Sequence, residues 1–282
     1  MIYIFIAGVL WGTIGIFVKQ LASLGADPST TAFMRMLFAF VIMTTSAVFR
    51  HGRKVFGIDR KTLFLCALLG LICHGFFNIF YTASIRANGM GIASVLLYTA
   101  PVFTAVASGL IFREKFSSLK VFALAVNIIG CVLTVTGGDI SGGSFTLGGI
   151  LCGIGSGFCY GMAAVIGRQA GEHTDAIIMS AYSYMFAVIF LLIFNTPEMN
   201  AGYDVLTAGF LYGLIPTALA YLVYYTGLKR IDDTSRVPVI ASIEPVTAVA
   251  IGMLLYNEQL GTVNFIGVAV VLFSIIIMIK AE

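Results

Sequence analysis

The chain has 282 residues, of which 59% are hydrophobic and only 10% are charged. Soluble domains carry roughly 25% charged residues, so most of this surface cannot face water, and a water-soluble fold is excluded. The formal net charge of +3 gives no reason to expect a nucleic-acid partner. The composition indicates a multi-pass membrane protein, with lipid as its surroundings.

A membrane-spanning helix needs about 20 mostly apolar residues. The first such segment begins at Ile2 without a preceding basic region, so we expect it to be a helix of the mature protein and not a cleaved signal peptide. Ten segments of this kind follow one another with little chain between them. They are 2–20, 29–49, 62–84, 90–112, 119–136, 146–168, 176–195, 205–227, 235–256 and 261–279.

Cysteines do not indicate a site. All five lie inside predicted spans, where cysteine behaves as a small hydrophobic residue. The sequence contains no CxxC pair, so we expect no disulfide framework, no metal site and no cofactor.

The chain repeats itself. Residues 81–126 align with residues 225–270 at a constant offset of 144, and the most specific matches are Pro101 with Pro245 and Glu114 with Glu258. Nearer the start of each half the offset becomes 149, which pairs Gly8 with Gly157 and Gly12 with Gly161. We therefore predict two five-helix repeats, residues 1–138 and 145–282, with a boundary in the glycine-rich segment 137–144.

Basic residues predict the orientation. With the amino terminus in the cytoplasm, 13 lysines and arginines lie on the cytoplasmic side, Lys19 and Arg86 lie outside, and Arg35 lies within a span. Positive charge accumulates on the cytoplasmic side of membrane proteins, so both termini are expected there. Because each half has an odd number of spans, the second repeat should be inverted. The predicted fold is an all-α membrane protein of ten helices, in two inverted-topology repeats.

The sixth predicted helix has a glycine at every fourth position, which gives it a flat face. Such a face lets helices pack closely in lipid, and it would also allow this helix to slide during a conformational change. The glycines are Gly149, Gly153, Gly157 and Gly161.

Polar side chains within spans are costly unless they are paired or hydrated, so they mark a candidate substrate site. In the third helix, polar residues at spacing i, i+4 and i+7 share one face. If all such groups converge, they line a cavity at mid-membrane. The candidates are His74, Asn78, Tyr81, Tyr98, Thr99, Tyr160, Tyr182, Tyr221, Tyr225, Ser242 and Glu244.

Three ionisable groups are candidates for coupling. Glu244 precedes Pro245, which loosens the helix; it could bind a cation or carry a proton, or it could instead pair with Arg35 or cap free amides. His74 could relay protons or simply be satisfied by a neighbour. Arg35 could bind a carboxylate or phosphate, or it could form a structural ion pair or reach the membrane interface.

Glu114 and Glu258 occupy equivalent positions, each 13 residues after Pro101 or Pro245. They lie at the ends of the fourth and ninth helices, at opposite faces of the membrane. A matched structural or gating role is expected for them, and not substrate binding.

Several of these segments resemble the EamA-type members of the drug/metabolite transporter superfamily. They are Trp11-Gly12, Arg35, Tyr98-Thr99-Ala100-Pro101 with Glu114, and Glu244-Pro245-Val246 with Glu258. The second repeat departs from the pattern, because Tyr160 stands where the first has Trp11. The resemblance implies a ten-helix inner-membrane carrier with a central site, of a kind that mostly exports amino acids and other small metabolites.

The expected function is therefore secondary transport of a small polar or amphipathic metabolite by alternating access. Export is favoured, and proton coupling through Glu244 or His74 is possible. No GxxxxGK[ST] motif indicates direct use of ATP. An importer, an intramembrane enzyme that uses His74, and a passive channel with non-saturating flux remain the alternatives.

Overall fold

The computed structural model describes residues 1–115, 117–139, 146–194, 197 and 202–281. Within these ranges the protein is all-helical, and ten helices are long and apolar enough to span a membrane. Helices 1 to 10 comprise, in order, Ile2–Ser23, Pro28–Phe56, Arg60–Asn88, Met90–Phe112, Ser118–Thr136, Leu147–Gly171, Ala176–Phe194, Tyr203–Leu228, Thr234–Tyr256 and Thr262–Lys280.

The ten predicted spans are confirmed. The largest difference is at the end of helix 2, where a 3₁₀ turn, Gly52–Phe56, continues the helix beyond its apolar part. Hydrophobicity marks the part of a helix inside lipid, but the hydrogen-bonded turns extend past it. Of the predicted boundary between the repeats, residues 140–144 lie outside the described ranges.

Helix starts follow the local sequence. The Asp27 side chain accepts hydrogen bonds from the backbone N–H groups of Ser29 and Thr30, and Pro28 occupies the first helical position. A carboxylate at the N-cap with proline next to it is a favourable start. Asp59 caps helix 3 without a proline, since its carboxylate accepts the backbone N–H of Thr62.

Five of the helices are interrupted within the membrane. Helix 1 breaks at Thr13, helix 4 after Leu97, and helix 9 at Ser242. Helices 3 and 8 contain π-helical segments, Leu69–Phe76 and Leu214–Leu219. Such irregular turns often occur at functional sites, and here they surround the centre of the molecule.

Equivalent helices make equivalent contacts. Helix 1 packs against helices 8 and 9, and helix 6, its equivalent, packs against helices 3 and 4. Helix 2 packs against helix 7, and helix 5 against helix 10. Exchanging helices 1–5 with helices 6–10 therefore leaves this set of contacts unchanged.

Glycines make the closest of these contacts. A β-carbon at Gly12 would lie 2.9 Å from the carbonyl oxygen of Glu244, and one at Gly161 would lie 2.6 Å from that of Ala100. Neither distance can be accommodated without a shift of backbone. The glycine face of helix 6 is thus used for close packing against helices 3 and 4.

Candidate functional site

A cavity of about 340 Å³ penetrates the helix bundle. Its deep end is formed by Arg35, Asn78, Tyr81 and Glu244, and it reaches the surface at Ala22, Ala26 and Pro28, around the loop between helices 1 and 2. Its volume is within the range typical of small-molecule sites, roughly 300–1,000 Å³. Four of the residues expected from the sequence thus meet in one open space.

Arg35 supplies the positive charge of this cavity. Helix 2 places it among buried side chains, with 8% of its surface exposed. Its Nε donates to Thr217 Oγ1 over 2.9 Å, and its guanidinium lies 5.3 Å from the centre of the Tyr212 ring. Thr217 belongs to the π-helical segment of helix 8. The side chain is held inside the bundle and does not extend to the membrane interface.

Glu244 supplies the negative charge. It lies in the first turn after the break in helix 9, and its Oε2 accepts a hydrogen bond of 2.7 Å from the Tyr160 hydroxyl. Among the described residues, neither Glu244 nor Arg35 forms an ion pair within 4 Å. The cavity therefore offers a carboxyl group and a guanidinium group that are not paired directly with each other.

A smaller cavity of about 10 Å³, large enough for about one water molecule, adjoins Glu244. Tyr98, Asn127 and Ser242 line it together with Tyr160. The Asn127 amide donates to Ser242 Oγ and to Ser274 Oγ, over 2.6 and 2.9 Å. This network holds the break in helix 9 against helices 5 and 10.

Aromatic rings close the path beyond Glu244. Trp11 lies 5.0 Å from Tyr221 and 4.9 Å from Tyr224 between ring centres, and 6.1 Å from Tyr160. Contacts of this kind stabilise a packed cluster beyond the effect of burial alone. The barrier lies on the side of the site opposite the open mouth.

Other predicted site residues do not line the open cavity. His74 is buried and lies 4.9 Å from Tyr221 between ring centres. Tyr225 is completely buried. The Thr99 hydroxyl bonds within helix 4, and Tyr182 donates to the Val55 carbonyl.

Glu114 is a clamp between the two halves. Its carboxylate accepts the backbone N–H groups of Thr234 (2.7 Å) and Ser235 (3.2 Å), which begin helix 9. Arg168 at the end of helix 6 donates to the same carboxylate and to the Thr234 hydroxyl. We call this group, which consists of Glu114, Arg168, Thr234 and Ser235, the Glu114 clamp. An anion at a helix start satisfies amides that have no partner in the helix and complements the helix dipole.

Asp233 extends the clamp. Its carboxylate forms ion pairs with Lys120 and Arg236. Burial disfavours its charged form, but hydrogen bonds from Lys120, Ser235 and Arg236 outweigh burial and lower the pKa of Asp233 from 3.8 to about 2. Helices 5 and 9 are therefore tied at the same face as Glu114.

Glu258 makes only part of the equivalent arrangement. It pairs with Lys19, and both side chains are about half exposed, at 47% and 50%. Lys19 lies 4.0 Å from the Tyr256 ring centre, as Arg168 lies 4.4 Å from that of Phe112. Glu258 corresponds to Glu114 at an offset of 144, and Lys19 corresponds to Arg168 at an offset of 149.

The backbone has the same local conformation at these two ends. Arg113 and Asn257, which precede the two glutamates, are the only described residues other than glycine with positive φ, at 56° and 51°. The amides at the start of helix 4, equivalent to Thr234 and Ser235, belong to Met90 and Gly91. Among the described contacts, Glu258 does not bind them. One end of the molecule is therefore clamped and the other is open.

The sequence did not identify three residues of the site. Tyr212 and Thr31 line the cavity, and Asn127 holds the break in helix 9. Thr31 lies one helical turn before Arg35, a spacing that places both on one face. Asn127 is an amide inside a predicted span, which is itself a signal of function.

Comparison with known proteins identifies relatives. The sequence model described as the EamA-like transporter family matches residues 1–136 and again residues 147–280. An uncharacterized transporter of Archaeoglobus fulgidus is 28% identical over 97% of this chain and 94% of its own length. The inner membrane transporter YicL of Salmonella typhimurium is 23% identical over 99% of this chain and 94% of its own. YedA of Escherichia coli is 27% identical over 96% and 87%.

The fold also has a solved counterpart. One crystal structure superposes with a TM-score of 0.80, covering 98% of this chain and 94% of the other at 15% identity. At this identity the likeness concerns the fold alone. The ten-helix arrangement is thus one that a distant sequence also adopts.

Proposed function

Because the chain belongs to the EamA-like transporter family, we propose that it is a secondary transporter that exports a small zwitterionic metabolite across the cytoplasmic membrane by alternating access. An amino acid or a related compound fits this description. The family and the ten apolar helices make the chain a multi-pass membrane transporter. We propose, beyond this, the class of substrate, the direction of transport and the mechanism.

The observation that carries the proposal is the separation of Arg35 and Glu244 in one cavity. A buried charge without a partner is costly, by several kcal/mol per ion. A solute with both a carboxylate and an ammonium group would satisfy both residues at once. Asn78 and Tyr81 line the same cavity and add hydrogen-bonding groups to it.

We infer the captured state from the charge distribution. The cavity opens at the loop between helices 1 and 2, which the positive-inside rule assigns to the outer side. The Glu114 clamp is then on the cytoplasmic side, and this is an outward-open state. The equivalent contacts of helices 1–5 and 6–10 support two inverted repeats, residues 1–138 and 145–282.

Binding provides the first test. Thermal shift on purified protein is used as the screen, because a ligand of the folded state raises its melting temperature. The compounds are amino acids and the same amino acids with an esterified carboxyl or an acetylated amine. We expect the free amino acids to raise the melting temperature and the esterified or acetylated derivatives to leave it unchanged. Arg35→Gln should remove the discrimination against esters, and Glu244→Gln that against acetylated amines. Arg86→Gln, at an exposed arginine, is the control.

Transport provides the second test. Proteoliposomes loaded with the best ligand should show saturable exchange with external ligand, whereas a channel would show flux proportional to concentration. If Glu244 also carries a proton, Glu244→Gln removes the pH dependence of this exchange while expression stays intact. Equal stabilisation by zwitterions and by their blocked derivatives would refute the proposed substrate class.

A further inference from the structure

The residues that line the open cavity have equivalents in the other repeat, and three of these equivalents, Gly167, Ser180 and Tyr225, are buried. Helices 1 and 6 align at an offset of 149, because Gly12 and Gly161 approach the carbonyl oxygens of Glu244 and Ala100, which are themselves equivalent. Val18, on the wall of the open cavity, thus corresponds to Gly167.

Contacts between helices fix the other offsets. Gly70 of helix 3 faces Ser183 and Phe186 of helix 7. In the other repeat, Gly213 of helix 8 faces Arg35 and Phe38 of helix 2. Helices 2 and 7 therefore align at an offset of 148. Cavity-lining Ala32 then corresponds to Ser180.

The last part of helix 3 aligns with helix 8 at an offset of 144. This offset pairs Tyr81, another cavity residue, with Tyr225.

Gly167 and Tyr225 are packed against each other, whereas their equivalents, Val18 and Tyr81, are separated by the open cavity. A β-carbon at Gly167 would lie 2.8 Å from Cε1 of Tyr225, so this ring occupies the space beside helix 6. Tyr81 and Val18 instead stand on the walls of an open cavity. Ser180 and Tyr225 are both 0% exposed.

A second observation concerns two of these equivalent residues. The hydroxyls of Ser180 and Tyr225 are buried, and neither has a hydrogen-bond partner among the described residues. A buried hydroxyl without a partner costs about 1–3 kcal/mol. Two such groups at positions equivalent to cavity walls indicate side chains that are satisfied in another state.

We propose that Gly167, Ser180 and Tyr225 line a second cavity, closed in this structure, through which the solute passes between the central site and the face held by the Glu114 clamp. Gly167 immediately precedes Arg168 of the clamp, as Val18 precedes Lys19 at the open end. Release of the clamp frees helix 9 from helix 6, and Tyr225 then withdraws from Gly167. The proposal rests on the transport function proposed above.

The chemistry of this second cavity differs from that of the first. Arg35 corresponds to Ser183 and Glu244 to Ala100, so its walls carry hydroxyls and aromatic rings without the two charges. A solute with no net charge can cross such a surface by hydrogen bonding. Because these walls carry neither charge, a solute that leaves Arg35 and Glu244 must exchange those contacts for hydrogen bonds to hydroxyl groups and contacts with aromatic rings.

Thiol labelling tests the proposal with a matched pair. In a variant that lacks the five native cysteines and still transports, Ala32→Cys and Ser180→Cys are treated with a membrane-impermeant maleimide from either side. We expect rapid labelling of Ala32→Cys from the outer side and slow labelling of Ser180→Cys from the cytoplasmic side only. Adding Glu114→Gln should raise the Ser180→Cys rate by roughly tenfold or more and lower that of Ala32→Cys.

Thr82→Cys and Thr226→Cys form a second pair in case Ser180→Cys does not fold, since Thr82 lines the open cavity and Thr226 is its equivalent. Labelling of Ser180→Cys or Thr226→Cys from the outer side would overturn the proposal. So would failure of both to react in a Glu114→Gln protein that transports. If labelling is as expected but no zwitterion is transported, the second cavity stands and the proposed substrate fails.

Discussion

Replacing Glu114 by glutamine should destabilise this conformation far more than the same change at its repeat equivalent, Glu258. The Glu114 carboxylate binds two backbone amides and Arg168. Hydrogen bonds to a charged group contribute about 1.5–3 kcal/mol each, and glutamine keeps one acceptor oxygen but no charge. The expected loss is about 2–3 kcal/mol. Among the described residues, the Glu258 carboxylate has only its half-exposed pair with Lys19, which contributes about 0–1 kcal/mol.

Thermal unfolding in detergent measures the difference. The five cysteines are free, and four of them are buried, so a thiol-reactive dye reports unfolding. For a chain of this size 1 kcal/mol corresponds to about 2–4 °C. We expect a decrease of about 4–12 °C for Glu114→Gln and at most about 4 °C for Glu258→Gln, at one scan rate. Equal decreases, or a larger one for Glu258→Gln, would refute the assignment of Glu114 as the closed clamp.

Three further substitutions test the packing and the charges. Gly12→Ala should lower the melting temperature, because its β-carbon would meet the Glu244 carbonyl oxygen at 2.9 Å. Gly15→Ala, where no described residue lies within 4 Å of the added β-carbon, should be neutral or stabilising by up to about 1 kcal/mol. A larger decrease for Gly15→Ala than for Gly12→Ala would contradict the packing. Asn127→Ala removes hydrogen bonds to Ser242 and Ser274 and should cost about 1–3 kcal/mol, with a reduced transport rate; an unchanged melt would show that the network is unimportant. The lowered pKa of Asp233 means that its contribution to stability is complete above its ordinary pKa of 3.8 and is lost only as the pH falls through about 2. Asp233→Asn should therefore lower the melting temperature equally at about pH 5 and about pH 8, and a loss confined to one of them would disprove this.

The ten helices could be predicted because length and hydropathy alone determine which segments fit in lipid. The repeat was visible because Pro101 and Glu114 recur as Pro245 and Glu258. The polar deep end of the cavity was also predictable, since Arg35 and Glu244 are costly in lipid without a function.

Two aspects of the site could not be predicted. Hydropathy does not give the rotation of each helix, so nothing placed Tyr212 on the cavity wall or turned Thr99 and Tyr182 away from it. The sequence also does not show which conformational state the folded protein adopts. Tyr81 and Tyr225 are equivalent in sequence, but one lines an open cavity and the other is completely buried.

The distance between Arg35 and Glu244 also affects the return step of the cycle. When a zwitterion occupies the site, both charges can lose water together as the cavity closes. An empty site must dehydrate each ion without a counterion, at a cost of several kcal/mol. Reorientation of the unloaded carrier is therefore expected to be slow, and solute on the opposite side should accelerate efflux. Such a protein would work faster as an exchanger than in one-way flux.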